Sequence, residues 1–162
     1  MAQDMFIKIG TLKGEAQDDQ FPAWVDVLAW SLGGAQSGTA HQGGGMGGGK
    51  VSLQDFSFTK YTDVLSPKIW GHMCDGKHFP TVEFKARKAG GKPFVYLEIK
   101  MEDAIVTSVS TGGSGGEDRT TENVTFNFKK YTIKYNQQSK RGDLEVSDEY
   151  WYDMAKSKGS MA

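Results

Sequence analysis

Cysteine is nearly missing from this sequence: Cys74 is the only one in 162 residues. A single thiol has no intrachain partner, so the fold must rest on packing rather than on disulfides. Histidine is scarce too, and none follows His78. No excess of charge exists either, since 19 Lys and Arg face 20 Asp and Glu, mixed along the chain. That removes the electrostatic case for nucleic acid or an anionic membrane as a partner. No apolar run approaches the roughly 20 residues of a membrane helix, so membrane insertion is not expected. The opening Met-Ala-Gln-Asp-Met-Phe lacks a basic segment followed by an apolar one. Synthesis and folding in the cytoplasm are therefore expected, unless another route exports the chain. No period of roughly 20–50 residues recurs, which excludes a repeat protein.

Glycine is abundant instead, at 21 residues, roughly twice ordinary usage. Most of the excess falls in two stretches, residues 33–49 and 112–116. The length suits one domain, residues 1–162, with a sizeable core. Period-two alternation dominates. Met5, Ile7 and Ile9 form a first strand, and the segment from Trp24 to Leu32 is apolar on both parities, as a strand covered on both sides would be. Val51 and Leu53 are followed by Phe56 and Phe58 in shifted parity, which predicts a bulge near Asp55. Val82, Phe84 and Ala86 are answered by Val95, Leu97, Ile99 and Met101 across an Ala-Gly-Gly-Lys turn. From Ile105 to Tyr135 two long strands flank the glycine run, the first ending near Ser110. A register flip at Lys129-Lys130 predicts a second bulge or bend. One helix is expected, starting at Ser66-Pro67 with Ser66 as its cap and ending at Gly76. After Asn136 the chain turns polar, then carries Leu144, Val146, Tyr150, Trp151 and Tyr152 as a strand or short helix, with Ala155–Ala162 expected to be mobile. The fold class is thus mainly β: about seven strands in an antiparallel barrel or sandwich, with one short α-helix and long glycine-rich loops.

Motifs for chemistry are present only by composition. Gly112 to Gly116 spells the glycine-serine-glycine of a nucleophile elbow at Ser114, but a strand pattern follows where that elbow needs a helix. Gly44 to Lys50 falls one residue short of a phosphate loop, with Val51 where a hydroxyl should hold magnesium. His72, Cys74, Asp75 and His78 gather in sequence, yet His72 and Cys74 would point about 200° apart on a helix and cannot easily share an ion. Cys74 is expected in the core, with His72 and His78 at the surface or an interface. Arg141-Gly142-Asp143 and Asn123-Val124-Thr125 are coincidental matches to adhesion and glycosylation signals. These readings imply no cofactor, no metal and no enzymatic activity.

Thr-Ser-Val-Ser-Thr-Gly-Gly-Ser-Gly-Gly-Glu-Asp-Arg-Thr-Thr-Glu-Asn-Val-Thr, residues 107–125, resembles the Hcp family of bacterial type VI secretion. So do Met5 to Gly10, Asp26 to Ser31, Asp55 to Tyr61 and Arg87 to Gly91. The likeness covers about residues 1–135. It implies a structural subunit that forms hexameric rings, which stack as the inner tube of a contractile machine. A spike and a sheath would be its partners, small effectors would travel in the lumen, and the protein would leave the cell without a signal peptide. It also implies that Ser31 lines the channel, with Trp30 buried behind it. The two glycine loops are expected at contacts between subunits or rings, through Gly43, Gly44, Gly45, Met46 and Gly47 in one and Gly113, Glu117, Asp118 and Arg119 in the other. The rival is a monomeric β-sandwich that binds a carbohydrate or a protein.

Overall fold

The computed structural model describes residues 3–38 and 48–161. Among them the chain forms twelve strands and one helix rather than about seven strands. β1 (Gln3–Ile9) pairs with β2 (Val25–Asp26) and with β7 (His78–Lys88). Beyond β7 lies β8 (Phe94–Gly112), a single strand of 19 residues. Its far edge is shared. Leu97–Glu102 pairs with β10 (Lys130–Gln138), and Ile105–Gly112 pairs with β9 (Thr121–Asn127). The handover falls at Asp103, whose φ of 53° is a left-handed conformation that a Cβ resists. The expected bend at Lys129-Lys130 is therefore a corner where the chain leaves one stretch of β8 for the other within the same sheet.

From β9 the sheet continues to β6 (Phe56–Tyr61) and then β3 (Ala29–Ser31). Its two ends, β2 and β3, are successive pieces of one segment. The Val27 amide donates to the Met5 carbonyl and the Leu28 amide to the Thr59 carbonyl, at 2.9 and 2.8 Å. Backbone continuity completes a barrel-like ring where no lateral ladder does. From β10 the sheet runs outward through β11 (Leu144–Asp153) to β12 (Lys158–Met161) as a wing. Within the tail expected to be mobile, Lys158–Met161 forms a strand paired with β11.

The barrel core follows the alternation. Ile7, Ile9, Phe56, Phe58, Val82, Phe84, Met101, Val124 and Phe126 are all buried. Each such side chain contributes about 1.5–3 kcal/mol relative to exposure. The helix α1 (Ser66–Asp75) inserts Ile69 into this core and stops at Gly76, whose φ is 67°. Ser66 does not cap it. Leu65 occupies that position without a side-chain bond, and the Ser66 hydroxyl instead donates to buried Glu122 at 2.6 Å. Cys74 is exposed on the outer side of α1, not in the core.

Two further expectations change. Trp24–Leu32 is not one strand covered on both sides. Val25 and Val27 point inward beside β1, Trp30 points inward beside β6, and Leu28, Ala29 and Ser31 face out. The parity switches where the chain leaves one neighbour for the other. Residues 33–49 are not wholly loop either, since β4 (Gly34–Gly38) pairs with β5 (Gly48–Leu53) as a separate two-stranded arm. The parity shift near Asp55 marks the step from this arm to β6, not a bulge. The aromatic set then ties the closure together, with Trp30 4.8 Å from Phe84 and 5.9 Å from Phe56 between ring centroids.

Candidate functional site

Register across β3, β6, β9 and β8 aligns short polar side chains on the outer face. One row runs Ser31, Ser57, Thr125, Ser108, and the next runs Ala29, Thr59, Asn123, Ser110. The rows are partly cross-linked. The Thr59 hydroxyl donates to Asn123 Oδ1 at 2.6 Å, and Thr125 Oγ1 lies 2.6 and 2.7 Å from the hydroxyls of Ser108 and Thr107. At one margin Asp55 accepts hydrogen bonds from Thr107 and Asn127, at 2.6 and 2.9 Å. Ser31 is exposed at the edge of a hollow of about 250 Å³ lined by Ala29, Trp30, Ser31, Ser57, Phe58 and Thr59. Trp30 lies on the opposite parity, half-buried against the core.

The outer face of the β7–β8–β10–β11 sheet is built differently. Glu83 faces Lys100, Lys85 faces Glu98, Glu98 faces Lys134, and Lys134 faces Glu149. Burial pushes the Glu98 carboxyl up, but hydrogen bonds from Asn136 and Lys85 and the charges of Lys85 and Lys134 outweigh it and hold the group below its ordinary value. Opposite charges across strands contribute little each on a solvated face, and they fix register.

The glycine loop after β8 spans residues 113–120. Glu117 and Asp118 are exposed, and the Glu117 amide donates to the Ser114 carbonyl at 3.1 Å. Arg119 stacks its guanidinium 4.0 Å from the centroid of Tyr61, so its charge is anchored to its own barrel. A Cβ on Gly113 would stand 3.3 Å from the Thr120 hydroxyl, a tight approach. Gly43, Gly44, Gly45, Met46 and Gly47 lie outside the described residues.

The candidates for chemistry disperse. His72 stacks on Phe79 at 4.1 Å, while His78 bonds the Asp103 carboxylate at 2.7 Å. Among the described residues no three His, Cys, Asp or Glu side chains converge as metal ligands. No helix among them is long and apolar enough to cross a membrane.

Two clusters escaped the sequence. Lys60 is fully buried, paired with Glu122 and with Asp63 at 2.8 Å. Arg87 packs over Phe6 and Phe21 and donates to Asp4 and Asp18, both at 2.9 Å. The signal for the first was a Lys and a Glu at inward parity in strands otherwise apolar inside. The hydroxyl rows were legible as Ser57, Thr59, Thr121, Asn123, Thr125 and Asn127 at outward parity.

Residues 6–135 match the family model described as "Type VI secretion system effector, Hcp". The chain is 53% identical over 143 residues to Protein hcp1 of Pseudomonas aeruginosa, covering 88% of each chain. Among solved structures, one described as a type six secretion system protein superposes with a TM-score of 0.92 at 28% identity, over 98% of this chain and 100% of the other. Hcp1 from Salmonella typhimurium gives 0.79 at 32% identity, over 99% and 100%. The match spans β1 through most of β10, which holds the whole barrel and the hydroxyl face, so this chain belongs to the Hcp family of type VI secretion proteins.

Proposed function

We propose that the chain is the structural subunit of a type VI inner tube. It assembles into hexameric rings that stack, leave the cell when a sheath contracts behind a spike, and carry small effectors in the lumen. The hydroxyl face, with Ser31, lines the channel. Its role is structural rather than enzymatic.

The observation that carries this reading is the wing. Its inner face continues the barrel core outward across β10, β11 and β12, aligning Ile133, Tyr150 and Met161 in register. Tyr135, Val146 and Met161 on that face remain 48%, 54% and 72% exposed. A monomer gains nothing from such a surface, whereas a neighbouring subunit would bury it. The arm formed by β4 and β5 and the loop at Gly113, Glu117, Asp118 and Arg119 supply further contacts between subunits or rings.

Native mass measurement is the test. A particle of six times 17.8 kDa is expected at micromolar concentration, with six-fold rings in negative stain. A monomer under those conditions overturns the tube reading and favours the binding-module rival.

A further inference from the structure

The hydroxyl face differs from the rest of the surface in one respect. In a chain with 24% charged residues, four adjacent strands present Ala29, Ser31, Ser57, Thr59, Asn123, Thr125, Ser108 and Ser110 without a single charge among them. Asp55 at the margin is occupied by Thr107 and Asn127, and Arg119 at the other end is held over Tyr61. The other outer face alternates Glu and Lys from strand to strand. Among the described residues the hydroxyls of Ser31, Ser57 and Ser110 take no protein partner, so each is free to donate and to accept. The hollow beside Ser31 and Ser57 holds about 250 Å³, below the roughly 300–1,000 Å³ of small-molecule pockets. It is of a size for one protruding side chain.

We infer that the hydroxyl face is a protein-binding surface selective for uncharged side chains that bear amides or hydroxyls, with the hollow at Ser31 and Ser57 seating one of them. The inference rests on the reading of this face as the channel lining and adds the chemistry of what it holds. A charged group placed against the face loses water and meets no counter-ion, whereas an amide exchanges its water for hydroxyls. Binding of this kind has no electrostatic steering and little dependence on salt. The contacts are individually weak, which suits cargo that must be released.

The test uses the full chain in its native state and one small folded carrier protein in three forms, differing only at an exposed loop tip: Gln-Ser-Asn, Lys-Ser-Lys or Glu-Ser-Glu. Co-sedimentation is read at about 50 mM and about 500 mM salt, a range over which exposed charge interactions are strongly screened. The neutral tip is expected to bind about tenfold tighter than either charged tip, with less than roughly a twofold change between the two salts. Ser57→Lys should weaken the neutral tip and raise the acidic tip to equal or above it at low salt. A charged tip bound as tightly as the neutral one by the unaltered chain, a roughly tenfold loss on adding salt, or no binding of any tip overturns the inference. Native mass of the same samples separates the two readings. Rings without the neutral preference overturn only this inference, and a monomer with that preference supports it while overturning the ring.

Discussion

Lys60 and Glu122 face each other across β6 and β9 on the inside of the barrel, with 0% and 1% of their side chains exposed. Lys60 also donates to the Tyr61 carbonyl and to Asp63, at 3.0 and 2.8 Å, and Ser66 bridges it to Glu122. Breaking a buried pair from one side leaves an uncompensated charge and costs about 3–5 kcal/mol, whereas replacing both by apolar groups of similar volume is near neutral. Lys60→Met, which leaves buried Glu122 without a counter-charge, should therefore lower the denaturant midpoint strongly, and adding Glu122→Leu should recover part of it, as chemical unfolding of each variant will show. Arg87 invites a different measurement. Its hydrogen bond to Asp18 holds that carboxyl below its ordinary 3.8, against the opposing effect of burial. The unfolded value is the higher one, so this contribution is complete above about pH 3.8 and is lost as pH falls through the lowered value. Asp18→Asn should flatten the loss of melting temperature between about pH 5 and pH 2, and a slope equal to that of the parent protein would assign the acid limb elsewhere.

Among the elements, the arm and the wing carry the predictions. β4 and β5 pair only with each other, outside the barrel sheet. Replacing residues 37–49 by a short turn should leave the barrel's far-ultraviolet signal and melting temperature within a few degrees, a shift of about 1 kcal/mol or less, while the native mass shifts towards monomer. These elements also show what the sequence could convey. Strands whose inner parity is largely apolar, such as β1 and β7, were legible because one buried face imposes a period of two. Ser66-Pro67 and Gly76 bracketed α1 to within a residue, although Leu65 holds the cap position and the Ser66 hydroxyl donates to Glu122 while accepting from the Asp63 amide and from Lys60. The split of Trp24–Leu32 was not legible, since the parity switch at Leu28 reflects which neighbour each half meets. The arm escaped for a related reason: glycines carry no alternation, so their pairing leaves no periodic trace. At the candidate site, the resemblance pointed to Ser31 and parity set it apart from Trp30, but the eight-residue polar patch needed four strands brought into register.

For the molecule as a whole, the exposed inner face of the wing is the surface on which assembly is expected to turn. Tyr150→Lys with Met161→Lys places like charges side by side at a registered pair. The barrel should stay folded and the particle mass should fall from six subunits towards one, since an unpaired charge at a buried contact costs about 2–5 kcal/mol. Sedimentation of the double variant beside the parent checks it, and an unchanged hexamer would move the contact elsewhere. One consequence of the 19-residue β8 concerns force. A tube pushed from behind is loaded mechanically, and a body made of two sheets joined only by side-chain contacts could shear along that seam. Here the same backbone runs through both, bonded to the wing at Leu97–Glu102 and to the barrel at Ile105–Gly112. In the tube proposed above, thrust passing from one to the other would travel along covalent bonds, so the subunit is expected to yield at its boundaries with neighbours before it yields within itself.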